Sequence, residues 1–155
     1  EYGLYFMFLT IGFMSGNFIS GRLGNRVSAE FMVTAGCLIG IITVEVMTVS
    51  LFIWPNYPIA LFLPGAFIGL AQGLSMPHAQ AAAINAEPGL TGTASGVVMF
   101  LHFLSAATAS LFLSTLYDGT FYPLIEIISA LSILALASAL FANAAKRRQT
   151  ARMSA

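Results

Sequence analysis

Apolar positions run along this chain in five long blocks separated by short polar turns. The blocks cover residues 2–20, 31–53, 59–85, 93–117 and 123–145. A helix needs about 20 apolar residues to cross the hydrocarbon of a bilayer. Each block therefore predicts a transmembrane helix, and the fold class is an all-α polytopic membrane protein with five spans. The turns carry their own signals. Trp54-Pro55-Asn56-Tyr57-Pro58 pairs two prolines with two aromatics that suit headgroup level. Glu87-Pro88-Gly89 and Asp118-Gly119 break the chain, and Pro123 suits a first helical turn. Lys146-Arg147-Arg148 is expected to stop the last helix and leave residues 146–155 as a basic tail.

Composition sharpens this picture. Hydrophobic residues make up 58% of the chain and charged residues 8%, against about 25% charged in soluble domains. A net charge of zero argues against a nucleic-acid partner; lipid is the expected surround. Arg22, Arg26, Lys146, Arg147, Arg148 and Arg152 are all the basic residues. Five alternating spans put all of them on one side, and short basic loops mark the cytoplasm. The first residues then face outward. With no Met start and no signal-peptide pattern at Glu1, this predicts a piece of a longer chain. Cys37 lies inside an apolar block and reads as a small core residue.

Small residues recur every four positions: Gly12, Gly16 and Ser20; Gly36 and Gly40; Gly65, Gly69 and Gly73. Removing side chains lets helix backbones approach in lipid, so these stripes predict helix contacts. Polar residues inside the spans are fewer. Glu45 costs about 2.5–3.5 kcal/mol at mid-membrane. It is a proton-coupling candidate or a hydrogen-bonded structural Glu, with no basic residue at its depth. Glu126, a turn inside the last span, reads as interfacial. Gln72, Met76 and Gln80 share one helix face, and Pro77 invites a bend. Ser95, Met99, His102 and Ala106 form a similar stripe, with Phe103 beside it. Gln72, Met76, Met99, His102 and Phe103 are the candidate lining of a midplane pocket for an amphipathic small molecule. Interhelical hydrogen bonding is the other reading of Gln72 and His102, and the favoured one for His78 and Gln80.

Catalytic chemistry is poorly represented. Gly92-Thr-Ala-Ser-Gly96 places its serine one position late for a nucleophile elbow. No zinc-protease, dithiol or phosphate-loop motif occurs. Two histidines on different spans predict no metal, and neither an enzyme nor a cofactor is expected.

Gly16-Asn-Phe-Ile-Ser-Gly-Arg-Leu-Gly-Asn-Arg26, followed by Gly36, resembles the loop between the eighth and ninth helices of major facilitator superfamily transporters. The resemblance is to the Bcr/CflA type of multidrug efflux protein. Arg22, Gly24 and Arg26 fit the loop pattern; Asn17 stands where its first Gly belongs and Gly21 where its Asp belongs. Leu61–Gly65 with Gly73–Ala81 resembles the tenth helix of that family. Gly92–Gly96 resembles the start of the eleventh, and Asp118-Gly119-Thr120 the turn after it. The resemblance implies helices eight to twelve of a twelve-helix transporter in a bacterial inner membrane, C-terminus in the cytoplasm. It also implies proton-coupled antiport of small amphipathic compounds, with the missing N-terminal half as partner. There Glu45 falls on a supporting helix. The alternative is a complete small membrane helper or assembly protein without transport.

Overall fold

A computed structural model describes residues 2–24, 26–54, 57–85 and 89–153, with only the backbone described for Tyr2 and residues 146–153. These residues form five helices: α1 (Tyr2–Leu23), α2 (Ala29–Ile53), α3 (Ile59–Ile84), α4 (Thr91–Leu116) and α5 (Tyr122–Met153). All five are long and apolar enough to cross a membrane.

The helix ends depart from the sequence expectation in informative ways. α1 runs past Ser20 to Leu23, so Arg22 sits in its last turn rather than in a loop. The Arg22 guanidinium lies 5.0 Å from the ring centre of Phe18, one turn back. A long aliphatic stem lets the charge reach a polar surface while the backbone stays helical. α2 starts at Ala29 because Ser28 caps it, its hydroxyl accepting from Phe31 N–H at 3.3 Å. The basic tail corrects expectation most. Lys146 does not stop α5, which continues to Met153. Ala, Lys, Arg and Gln are strong helix formers; leaving the apolar stretch at Ala145 removes the drive to bury the helix, not its propensity.

Pro64 and Pro77 both lie inside α3 and neither ends it. The turn at Asp118-Gly119 forms as expected. Gly119 takes φ +88, open mainly to glycine, and Asp118 Oδ1 accepts from the Thr120 N–H at 3.0 Å. Of the Glu87-Pro88-Gly89 break, Gly89 takes φ +96; Glu87 and Pro88 lie outside the described residues, as do Glu1, Asn25, Pro55 and Asn56.

α3 is the centre of the bundle, packed against α1 on one side and α2 on the other. α1 and α3 run parallel: Tyr5 stacks on Phe62 at 5.4 Å near one end, and Ser20 meets His78 near the other. Between these points the backbones touch. A methyl group at Gly12 would strike the Ala66 carbonyl, and one at Gly16 the Leu70 carbonyl. Reciprocally, a methyl at Gly69 would strike the Leu9 carbonyl, and one at Gly73 the Phe13 carbonyl. Both helices thus present glycines four apart to each other's backbone, the contact predicted for small residues in lipid. The stripe is not used throughout. An added methyl would meet nothing within 4 Å at Gly65 and only ordinary contact at Gly40.

α2 lies antiparallel to α3, with Gly36 against Ala71 and Ser75. Met47 and Leu51 of α2, Ala60 of α3 and Ile125 of α5 make a buried apolar cluster near the Trp54 end. Toward the other end Asn143 of α5 donates to Thr34 Oγ1 at 2.9 Å, and Thr34 donates onward to the Glu30 carbonyl at 2.7 Å. α4 is different. It touches α3 and α5 lightly, and no residue in it is buried.

Candidate functional site

The end of the bundle bearing Arg22 and Arg26 holds the most specific polar arrangement. Ser20 is the next small residue on the Gly12–Gly16 face, and it is 3% exposed. Its Oγ and His78 Nε2 share a hydrogen bond of 2.9 Å. With the imidazole proton on Nδ1 the hydroxyl donates. Gly24 closes α1, its N–H donating to the Ser20 carbonyl at 2.8 Å. A methyl group at Gly24 would stand 3.3 Å from His78 Cε1 and 3.0 Å from that carbonyl. Gly24, from the loop motif, therefore lets the turn close over the imidazole. His78 ties α3 to the end of α1 and to the turn that leads toward Arg26, which is itself exposed. The interhelical reading of His78 holds, and its partner is 58 residues away. Gln80, read the same way, bonds to no described residue.

The midplane candidates sit elsewhere. Gln72 is exposed on α3, beside the Gly69 and Gly73 face, and Met76 is half-buried one turn on. Met99, His102 and Phe103 are exposed on α4. The His102 and Phe103 rings meet edge to face at 5.6 Å. Neither Gln72 nor His102 hydrogen-bonds to another described residue, so the interhelical bonds read for them do not form among the described helices. Glu45 is exposed and likewise bonds to no described residue. Val44 and Met47 turn into the core of the bundle, and at about 100° per residue Glu45 projects away from it. Cys37 is half-buried and Glu126 exposed.

Of two concavities among the described residues, neither is lined by Gln72, Met76, Met99, His102 or Phe103. One, of about 500 Å³, lies between α4 and α5 around Ser105, Thr108 and Phe112. The larger, about 710 Å³, runs between α2 and α3 to Trp54 and Tyr57. Leu63 lines that groove, and Gln72 follows it by nine residues, half a turn out of phase at about 3.6 residues per turn. The amide therefore points to the opposite side of α3. Among the described residues no three His, Cys, Asp or Glu side chains gather.

Compared with known proteins, the chain matches no family model, no curated protein and no solved structure.

Proposed function

We propose that this chain is the C-terminal part of a secondary active transporter of the major facilitator type, exporting small amphipathic compounds against proton entry. The observation that carries the reading is the order and spacing of the Gly16–Arg26 loop, the Gly73–Ala81 stretch and the Gly92–Gly96 start. These resemble successive elements of the Bcr/CflA efflux proteins. The end bearing Arg22 and Arg26 faces the cytoplasm in this reading, with the C-terminus, across a bacterial inner membrane. α1 and α3, locked backbone to backbone, move as one body when the two halves of the transporter rock about the substrate. The stripe Ser95, Met99, His102 and Ala106 on the lightly packed α4, with Gln72 and Met76 on α3, faces the cavity shared with the other half. Glu45 supports rather than couples.

Reading the coding sequence upstream of the Glu1 codon tests the architecture. An open frame with about seven further apolar spans of roughly 20 residues each is expected. A start codon immediately upstream makes the five helices a complete helper protein and ends the transporter reading. In the whole transporter, Gln72→Ala and His102→Ala are expected to change which compounds are exported at normal expression, and Glu45→Gln to be mild. Unchanged efflux of every compound in both alanine variants removes the pocket assignment. Complete loss of proton-driven efflux in a folded Glu45→Gln protein moves Glu45 into the coupling role.

A further inference from the structure

The groove between α2 and α3 has a shape, a polarity and a depth that together define an occupant. Along α2 it runs from Ile42 to Trp54. Twelve residues at 1.5 Å each make it about 18 Å long. One leaflet of a bilayer with about 30 Å of hydrocarbon is about 15 Å deep. The groove therefore spans one leaflet, from mid-membrane to the Trp54 turn. Its volume of about 710 Å³, spread over that length, leaves a cross-section of about 40 Å². An extended hydrocarbon chain fits this space.

Polarity follows the same axis. The deep walls are Ile42, Val46, Leu63 and Phe67. Thr43 also lines the groove, but its hydroxyl donates to the Ile39 carbonyl at 2.7 Å and offers nothing to a ligand. Ser50, one turn below Trp54, lines the groove with a hydroxyl that bonds to no described residue. In hydrocarbon such a group has no water to satisfy it. Trp54 and Tyr57, both more than half exposed, stand at the mouth, where amphipathic rings meet headgroups.

We propose that this groove is a binding site for one acyl chain of a phospholipid from the leaflet at the Trp54 end. The chain lies along Ile42, Val46, Leu63 and Phe67. Its ester region meets the Ser50 hydroxyl, and the glycerol region rests between Trp54 and Tyr57. The site depends on the helices crossing a membrane and not on transport, so it stands or falls separately from the efflux reading.

The test is native mass spectrometry of the purified, delipidated protein titrated with dioleoyl phosphatidylethanolamine. A first lipid adduct that saturates at one per chain is expected. Val46→Phe with Leu63→Phe fills the groove from two residues that are already about half exposed, so the fold is expected to survive, as circular dichroism checks. That variant is expected to weaken the first adduct at least tenfold, while Leu4→Phe on α1 leaves it unchanged. Ser50→Ala, which adds no bulk, is expected to weaken it severalfold and serves alone if the filled variant does not fold. Absence of a saturable first adduct overturns the proposal. So does equal binding in the wild type, the filled variant and Ser50→Ala, which means annular lipid only.

Discussion

α1 and α4 are built from similar residues and end in opposite situations. Each is a long apolar helix with glycines four apart, Gly12 and Gly16 in one, Gly92 and Gly96 in the other. In α1 the glycines press on the α3 backbone. In α4 an added methyl would meet nothing within 4 Å at either position. Small residues therefore permit close approach without choosing a partner. What singles out α1 is reciprocity, since α3 offers Gly69 and Gly73 back to it. No described helix does this for α4.

The sharpest way to break this comparison is substitution at the glycines. Gly69→Ala drives a methyl group into the Leu9 carbonyl, a backbone atom that cannot turn aside. Overpacking usually costs about 1–3 kcal/mol, and the cost here is expected at or above the top of that range. Gly96→Ala is expected to be neutral or to gain about 0.5–1 kcal/mol, the helical preference for alanine. Denaturation of both variants in detergent micelles measures the gap. A cost at Gly96 equal to that at Gly69 means α4 has a tight neighbour beyond the described helices.

Next in size is the polar contact that ends the α1–α3 seam. A double-mutant cycle on Ser20→Ala and His78→Ala is expected to give a coupling of about 0.6 kcal/mol and at most about 1.7 kcal/mol. Zero coupling means that the 2.9 Å contact adds nothing to the glycine seam. The same cycle on Thr34→Val and Asn143→Ala, across α2 and α5, is expected near the lower figure. A coupling above that of Ser20 and His78 makes α2–α5 the stronger polar seam.

The smallest effect is local and pH-dependent. Asp118 joins α4 to α5, and its carboxyl is held below the usual range because the Thr120 hydroxyl and N–H both donate to it. A depressed folded value makes the turn fully ordered above the ordinary aspartate pKa of about 3.9 and loosens it as pH falls through the folded value. Protection of the Thr120 amide, taken relative to its intrinsic exchange at each pH, is expected to hold at about pH 4 and to fall as pH drops further through the lowered value. Asp118→Ala removes that dependence. If exchange at Thr120 follows the same pH profile in both proteins, the carboxylate does not order the turn.

The five spans were legible because an apolar block of membrane length is a local signal. So were the glycine stripes, which are read from spacing along one helix. The pairing was not. Apolar residues wrap these helices nearly all round, so no amphipathic stripe marks an inner face. Ser20 and His78 could each be noticed, but nothing local joins residues 58 apart. Glu45 was visible as costly, yet its direction depends on which neighbours of α2 are buried. The far end of α5 was not legible, because charge marks the membrane surface and not the end of a helix.

Cross-linking tests the central claim, a parallel α1–α3 pair in register from Tyr5–Phe62 to Ser20–His78, most directly. With Cys37→Ser as background, Ser20→Cys and His78→Cys are introduced and the protein is treated in its membrane with a short bifunctional thiol reagent, since the native side chains meet at 2.9 Å. Rapid intramolecular cross-linking of position 20 to 78, with a control pair at positions 20 and 62 staying unlinked, is the expected result. Preferred linkage of 20 to 62 means an antiparallel pair, and no linkage of either means that α1 and α3 are not neighbours.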